Sequence, residues 1–154
     1  MRIVVFLLFS LMGIVASPLQ AAPALEIISG DSVLVLDRDE LETFPQTTIV
    51  TETPFYEGLR TFTGPSLNRV LEAFRPEGEQ ELTLKALNDY EFTGTLAEIL
   101  SLGAIVATRA DSRPMSVRDR GPFWIMLPLS DRPELNIPEM HRYMVWQLSS
   151  IELH

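Results

Sequence analysis

The first 22 residues decide how much chain is left to fold. Met1-Arg2 supplies a charged tip, Ile3 to Ala16 (IVVFLLFSLMGIVA) is almost wholly apolar, and Ser17-Pro18-Leu19-Gln20-Ala21-Ala22 is small and helix-breaking. That order is the plan of a secretory signal peptide, and cleavage after Ala21 places small or aliphatic residues at the −1 and −3 positions. The apolar run is shorter than the roughly 20 residues a helix needs to cross a bilayer, which argues against an uncleaved anchor. No Cys follows it, so lipid attachment is closed. The expectation is a signal peptide over 1–21, a periplasmic location, and one domain over 22–154 with no membrane span after cleavage. About 130 residues suit a single core rather than two.

The chain has 21 acidic and 12 basic side chains, and removal of Arg2 makes the balance more negative still. Long-range repulsion then disfavours nucleic acid as a partner. Cysteine is absent. Thiolate nucleophiles, Cys-based zinc sites and iron–sulfur ligation are thereby excluded, and the fold must stand on its core without disulfides. Two histidines, His141 and His154, cannot assemble a histidine cluster; His154 is terminal and His141 reads as a surface or packing residue. No metal and no cofactor are expected from the residues.

LEIIS and SVLVL flank Gly30-Asp31 and predict a hairpin. Asp37 predicts a cap for a short helix over RDELETF, with Leu41 and Phe44 inward. QTTIVTET (46–53) predicts a strand ended by Pro54. GPSLNRVLEAF predicts a helix with Gly64 at the cap, Pro65 in the first turn, and Leu67, Val70, Leu71 and Phe74 on one face. ELTLKAL (81–87) predicts a strand, and Thr95-Leu96-Ala97-Glu98 a capping box that starts a second helix through Leu100. GAIVATRA (103–110), FWIMLPL (123–129) and YMVWQLSSIEL (143–153) predict further strands. Short helices in irregular order among more numerous strands indicate an α+β class with mixed β-sheets, in a single domain.

Nucleotide-binding and hydrolase signatures are missing: there is no G-x-S-x-G, no G-x-x-x-x-G-K-S/T and no G-x-G-x-x-G. The unusual stretch is RADSRPMSVRDRGP (109–122), which holds Arg109, Arg113, Arg118 and Arg120. Guanidiniums offer planar forks of donors that clamp phosphate, sulfate or carboxylate. The alternative is a solvated turn balanced by Asp111 and Asp119, where exposed ion pairs contribute little. Asn88-Asp89-Tyr90 is a second candidate, either a polar pocket mouth or ordinary turn chemistry. Trp124 and Trp146 read as core anchors.

FTGPSLNRVL (62–71), ALNDY (86–90), MSVRDRGPFW (115–124) and VWQLSSIEL (145–153) together resemble the oxidoreductase molybdopterin-binding domain, the sulfite-oxidase fold, and in particular its small secreted bacterial members. The resemblance implies a mixed α+β domain built on β-sheets that holds a molybdenum–pterin cofactor through one Cys thiolate. That Cys falls on the segment equivalent to Ile49–Thr53, where this chain has none. Threonine is no substitute, because its hydroxyl is a hard, weakly acidic donor.

The resemblance therefore implies the architecture without the metal ligand. The expected function is a non-catalytic periplasmic binding or sensory module. Its partner is expected to be a small anion or the extracytoplasmic part of a membrane signalling protein, such as a sensor kinase or diguanylate cyclase. Ligand contacts are expected from Arg109, Arg113, Arg118, Arg120, Asn88, Asp89 and Tyr90. The alternatives are a molybdopterin-dependent oxidoreductase with an atypical non-Cys site, or an accessory subunit of one.

Overall fold

The computed structural model describes residues 22–72, 74 and 78–154. The signal peptide expected over 1–21 lies outside the described residues, among which no helix is long and apolar enough to cross a membrane. Among the described residues, eleven strands form three sheets with four short α-helices set between them.

The largest sheet has the order β2-β1-β11-β5-β6. It contains β1 (Ala24–Ser29), β2 (Ser32–Asp37), β5 (Glu81–Ala86), β6 (Glu91–Thr95) and β11 (Leu148–Leu153). The hairpin β1–β2 turns on Gly30, whose φ of +54° lies in the left-handed region where glycine carries no Cβ penalty. The outermost strands in sequence, β1 and β11, pair in parallel (Ile27 opposite Ile151), so the two ends of the domain close one sheet. Leu25, Ile27, Leu82, Leu84, Ile151 and Leu153 alternate onto the core face.

A second sheet has the order β3-β4-β8-β9, from β3 (Gln46–Thr53), β4 (Tyr56–Pro65), β8 (Arg109–Ala110) and β9 (Arg113–Pro114). A third pairs β7 (Ile105–Ala107) with β10 (Trp124–Met126), and both strands are wholly buried. The helices are α1 (Arg38–Leu41), α2 (Leu67–Glu72), α3 (Leu96–Ser101) and α4 (Pro138–His141). Asp37 caps α1 as the sequence predicts, Glu40 completes a capping box, and the helix ends at Leu41 rather than running on to Phe44.

Several expectations are corrected. Gly64-Pro65 does not start a helix: both belong to β4, and Ser66 caps α2 by accepting from the Arg69 N–H at 3.3 Å. Glycine is needed at 64 because the strand lies against β7, where a Cβ would fall 2.7 Å from the Val106 carbonyl carbon and 2.9 Å from Ala107 Cα. Thr95 does precede α3, but its side chain makes no cap bond; Glu98 instead accepts a hydrogen bond from the Tyr143 hydroxyl. GAIVATRA is two strands in two sheets, since the chain changes partner at the buried Thr108. The last predicted strand begins only at Leu148, because Gln147 sits at φ +52° and breaks it. Strands β4 and β6 were not foreseen.

Candidate functional site: two clefts on one aromatic cluster

The turn from β3 to β4 places Phe55 and Tyr56 against Trp124, with ring centroids 5.9 and 5.6 Å away. Phe62 meets Trp124 edge-on at 5.6 Å, Phe55 meets Trp146 edge-on at 5.0 Å, and Trp146 lies 6.3 Å from Trp124. The buried indole N–H of Trp124 donates to the Met144 carbonyl at 2.9 Å. Two clefts flank this cluster: Phe55 and Trp146 line the first, and Tyr56 lines the second.

The second cleft, of about 370 Å³, gathers Arg60, Arg113, Asp111 and Asp119 around Tyr56. Strands β8 and β9 are joined by Asp111 and Ser112, both at positive φ (49° and 66°), and that tight turn presents Arg113 to the cleft. Asp111 is committed: it accepts from the Thr61 N–H at 3.1 Å and pairs with Arg60 at 3.3 Å. Asp119 accepts from the Ser116 hydroxyl at 2.7 Å. Arg113 and Arg120 have no carboxylate partner among the described residues.

Arg120 occupies the most constrained position. It ends a short 3₁₀ turn (Val117–Asp119) in the left-handed conformation, φ +64°, uncommon for a side-chain-bearing residue. Its carbonyl accepts from the Gln147 N–H at 2.9 Å, and the Gln147 side chain donates to the Val117 carbonyl at 2.9 Å. The guanidinium thereby stacks 4.4 Å from the Tyr56 ring centre, and 5.8 and 5.7 Å from those of Trp124 and Trp146. Arg60 stacks on the same Tyr56 ring at 4.2 Å. Stacking occupies a guanidinium's faces and leaves its in-plane N–H donors free for an anion.

The other arginines of the stretch lie apart. Arg109 is bound by Glu42 through two bonds of 2.8 and 2.9 Å, while Glu42 also accepts from Thr108; this is a brace between α1 and β8. The bond from Arg109 holds the Glu42 carboxyl below its ordinary value, against the opposing effect of partial burial. A carboxyl depressed on folding adds stability above its unfolded value near 4.5, and that contribution disappears as pH falls through the folded value. Arg109→Gln should therefore lose less stability than the parent between pH 7 and 3.5, by about 1 kcal/mol at most for so accessible a pair, as read from urea midpoints at both pH values. Arg118 is exposed on the 3₁₀ turn and does not line either cleft.

The first cleft, about 330 Å³, contains Asn88 and Tyr90 together with His141, Arg142, Phe55 and Trp146. Asn88 forms a side-chain turn, accepting from the Tyr90 N–H at 3.3 Å, while Asp89 takes φ +64° at the turn itself and is not part of the lining. Arg142 stacks 4.7 Å from the Phe92 ring centre. His141 bonds Asn136 at 2.8 Å through Nε2, and burial lowers its pKa against a weaker upward pull from Glu139. Behind it, burial and the bond to Glu98 push the Tyr143 phenol up to about 12, so it stays a neutral donor. Sequence reading missed Phe55, Tyr56, Arg60 and Arg142; an aromatic pair directly after Pro54 at a strand end was the available signal.

Residues 49–53, which the sequence resemblance sets against a metal-binding thiolate, do not suit a molybdenum–pterin group. Thr51 is fully buried, and its Oγ1 is already committed, donating to the Glu52 carbonyl at 2.8 Å and accepting from the Ser130 N–H at 3.0 Å. Thr53 accepts from the Phe55 N–H at 3.2 Å. Neither hydroxyl is a soft anionic donor.

In class, then, the molecule is a small α+β domain of mixed sheets and a few short helices, consistent with a sulfite-oxidase-like fold at a distance. Among the solved structures it resembles is the sulfane dehydrogenase SoxCD from Paracoccus pantotrophus, with a TM-score of 0.61 at 15% identity. The match covers 86% of this chain but 38% of that one, so the likeness is one of fold and concerns less than half of the larger protein. No protein-family model matches the sequence, and no curated protein does.

Proposed function

We propose that the chain is a non-catalytic periplasmic binding module that recognises a small anion or the extracytoplasmic part of a membrane-bound signalling protein. The periplasmic assignment rests on the signal-peptide pattern of residues 1–21. One observation carries the binding assignment: Arg60 and Arg113 converge on one cleft, and Arg120, held in a left-handed conformation against the Tyr56 ring that lines it, has no carboxylate of its own. Unfavourable backbone conformations persist where surrounding structure enforces them and cluster at functional positions. An anion in this cleft would relieve the repulsion between Arg60 and Arg113, which Asp111 offsets only in part.

The test is titration of the protein with sulfate at low ionic strength, followed by tryptophan emission, since Trp124 and Trp146 both border Arg120. Reversing Arg113 and Arg120 to Glu should weaken binding by at least roughly tenfold, the scale of losing charge-assisted hydrogen bonds. Arg118→Glu should leave it nearly unchanged. If the signalling protein is the partner, its co-purification should be lost in the same double variant. Equal binding by all three proteins would reduce the arginines to a solvated turn. Stoichiometric molybdenum in protein from a cofactor-competent periplasm would instead favour the oxidoreductase reading.

A further inference from the structure

The first cleft differs chemically from the arginine cleft. Its walls are Phe55 and Trp146, with Tyr90 at its edge still 47% exposed, and its polar groups are Asn88, His141 and Arg142. None of the lining residues is acidic, although the chain carries 21 acidic side chains against 12 basic. Its one full charge is the Arg142 guanidinium, which rests over Phe92 and has no ion-pair partner among the described residues. At about 330 Å³ the cleft is at the lower end of small-ligand sites, ~300–1,000 Å³.

From this we infer that the cleft between Phe55, Tyr90 and Trp146 binds a small aromatic carboxylate, its ring against the aromatic walls and its carboxylate toward Arg142 and the Asn88 amide. Inorganic anions fit poorly, because aromatic and aliphatic walls cannot replace the hydration they would lose. A neutral aromatic would leave the guanidinium without its planar acceptor. The inference extends the binding-module reading but does not depend on the arginine cleft, so either can fail while the other stands.

The probes are phenylacetate, phenylacetamide and acetate, titrated into isotope-labelled protein and followed by NMR at the Trp146 indole N–H, with Trp124 as the internal comparison. Phenylacetate should saturate with a dissociation constant on the order of 1 mM or tighter, as expected for ten non-hydrogen atoms. Phenylacetamide and acetate should each bind at least roughly fivefold more weakly.

Asn88→Asp is the decisive variant. It keeps the turn bond to the Tyr90 N–H and adds only a negative charge on an exposed residue, so the melting temperature should hold. Phenylacetate affinity should fall on the order of fivefold, by electrostatic repulsion at close range. Arg142→Gln should reduce it about tenfold. The Arg113→Glu protein should bind phenylacetate as the parent does, since Arg113 lines only the other cleft. No saturable phenylacetate binding, equal binding of the amide, equal binding of acetate, or an indifferent Asn88→Asp variant would each overturn the assignment.

Discussion

Gly64→Ala is expected to destabilise the domain by about 3 kcal/mol or more, a large fraction of the ~5–15 kcal/mol available to a domain of this size. The reason is backbone against backbone. A Cβ at 64 would press on the Val106 carbonyl and stand 2.9 Å from Ala107 Cα, with no flexible side chain able to yield. Relief requires β4 to move away from β7. That movement strains the bond from the Thr108 N–H to the Thr63 carbonyl (2.9 Å) and the one from the Leu67 N–H to the Ala104 carbonyl (2.9 Å). Gly58→Ala is the internal comparison: that site has open space but φ +74°, so only conformational strain of about 1–2 kcal/mol is expected. Gly64→Ser makes the experiment a test of the fold. If Gly64 capped a helix, Ser would be neutral or slightly stabilising; on β4 it should cost as much as Ala. Urea midpoints with unchanged m-values measure all three.

That reversal shows what local sequence can and cannot carry. The β1–β2 hairpin, the Asp37 cap and β3 are each specified by neighbours a few residues apart, and all were legible. Gly64-Pro65 was misread because its role is set by β7, some forty residues later, and glycine followed by proline looks the same in a strand pressed on another strand as at a helix start. Strand β4 hid for a related reason: Leu59 is exposed and Arg60 partly so, which blurs the alternation that marks a half-buried strand. The pairing of β1 with β11 joins the two ends of the domain and leaves no local mark. At the site, arginine clustering was visible but its division was not. Arg109 is removed by Glu42, 67 positions away, whereas Arg60 is added through the β4–β8 pairing. Only the tertiary fold decides which guanidiniums remain free.

Trp124→Ala should be among the most damaging single substitutions, costing about 3–5 kcal/mol through loss of a fully buried indole and the cavity it leaves. Part of that loss is polar, because the Met144 carbonyl would lose the 2.9 Å bond it accepts from the indole N–H. Trp124→Phe separates the contributions: it keeps a ring against Phe55, Tyr56 and Phe62 but leaves the carbonyl unpaired, at about 1–3 kcal/mol. Chemical denaturation gives both values. Because the Phe variant should remain folded, it also tests whether the two clefts share a support. Trp124 packs against Tyr56, which lines the second cleft, and against Phe55 and Trp146, which line the first, and the N–H of its neighbour Ile125 donates to the Val145 carbonyl at 3.1 Å. A smaller ring there should loosen both walls, weakening sulfate and phenylacetate together. The cleft substitutions Arg113→Glu and Asn88→Asp, by contrast, should each affect one ligand alone. Unequal responses in Trp124→Phe would mean that the cluster supports one cleft and merely borders the other.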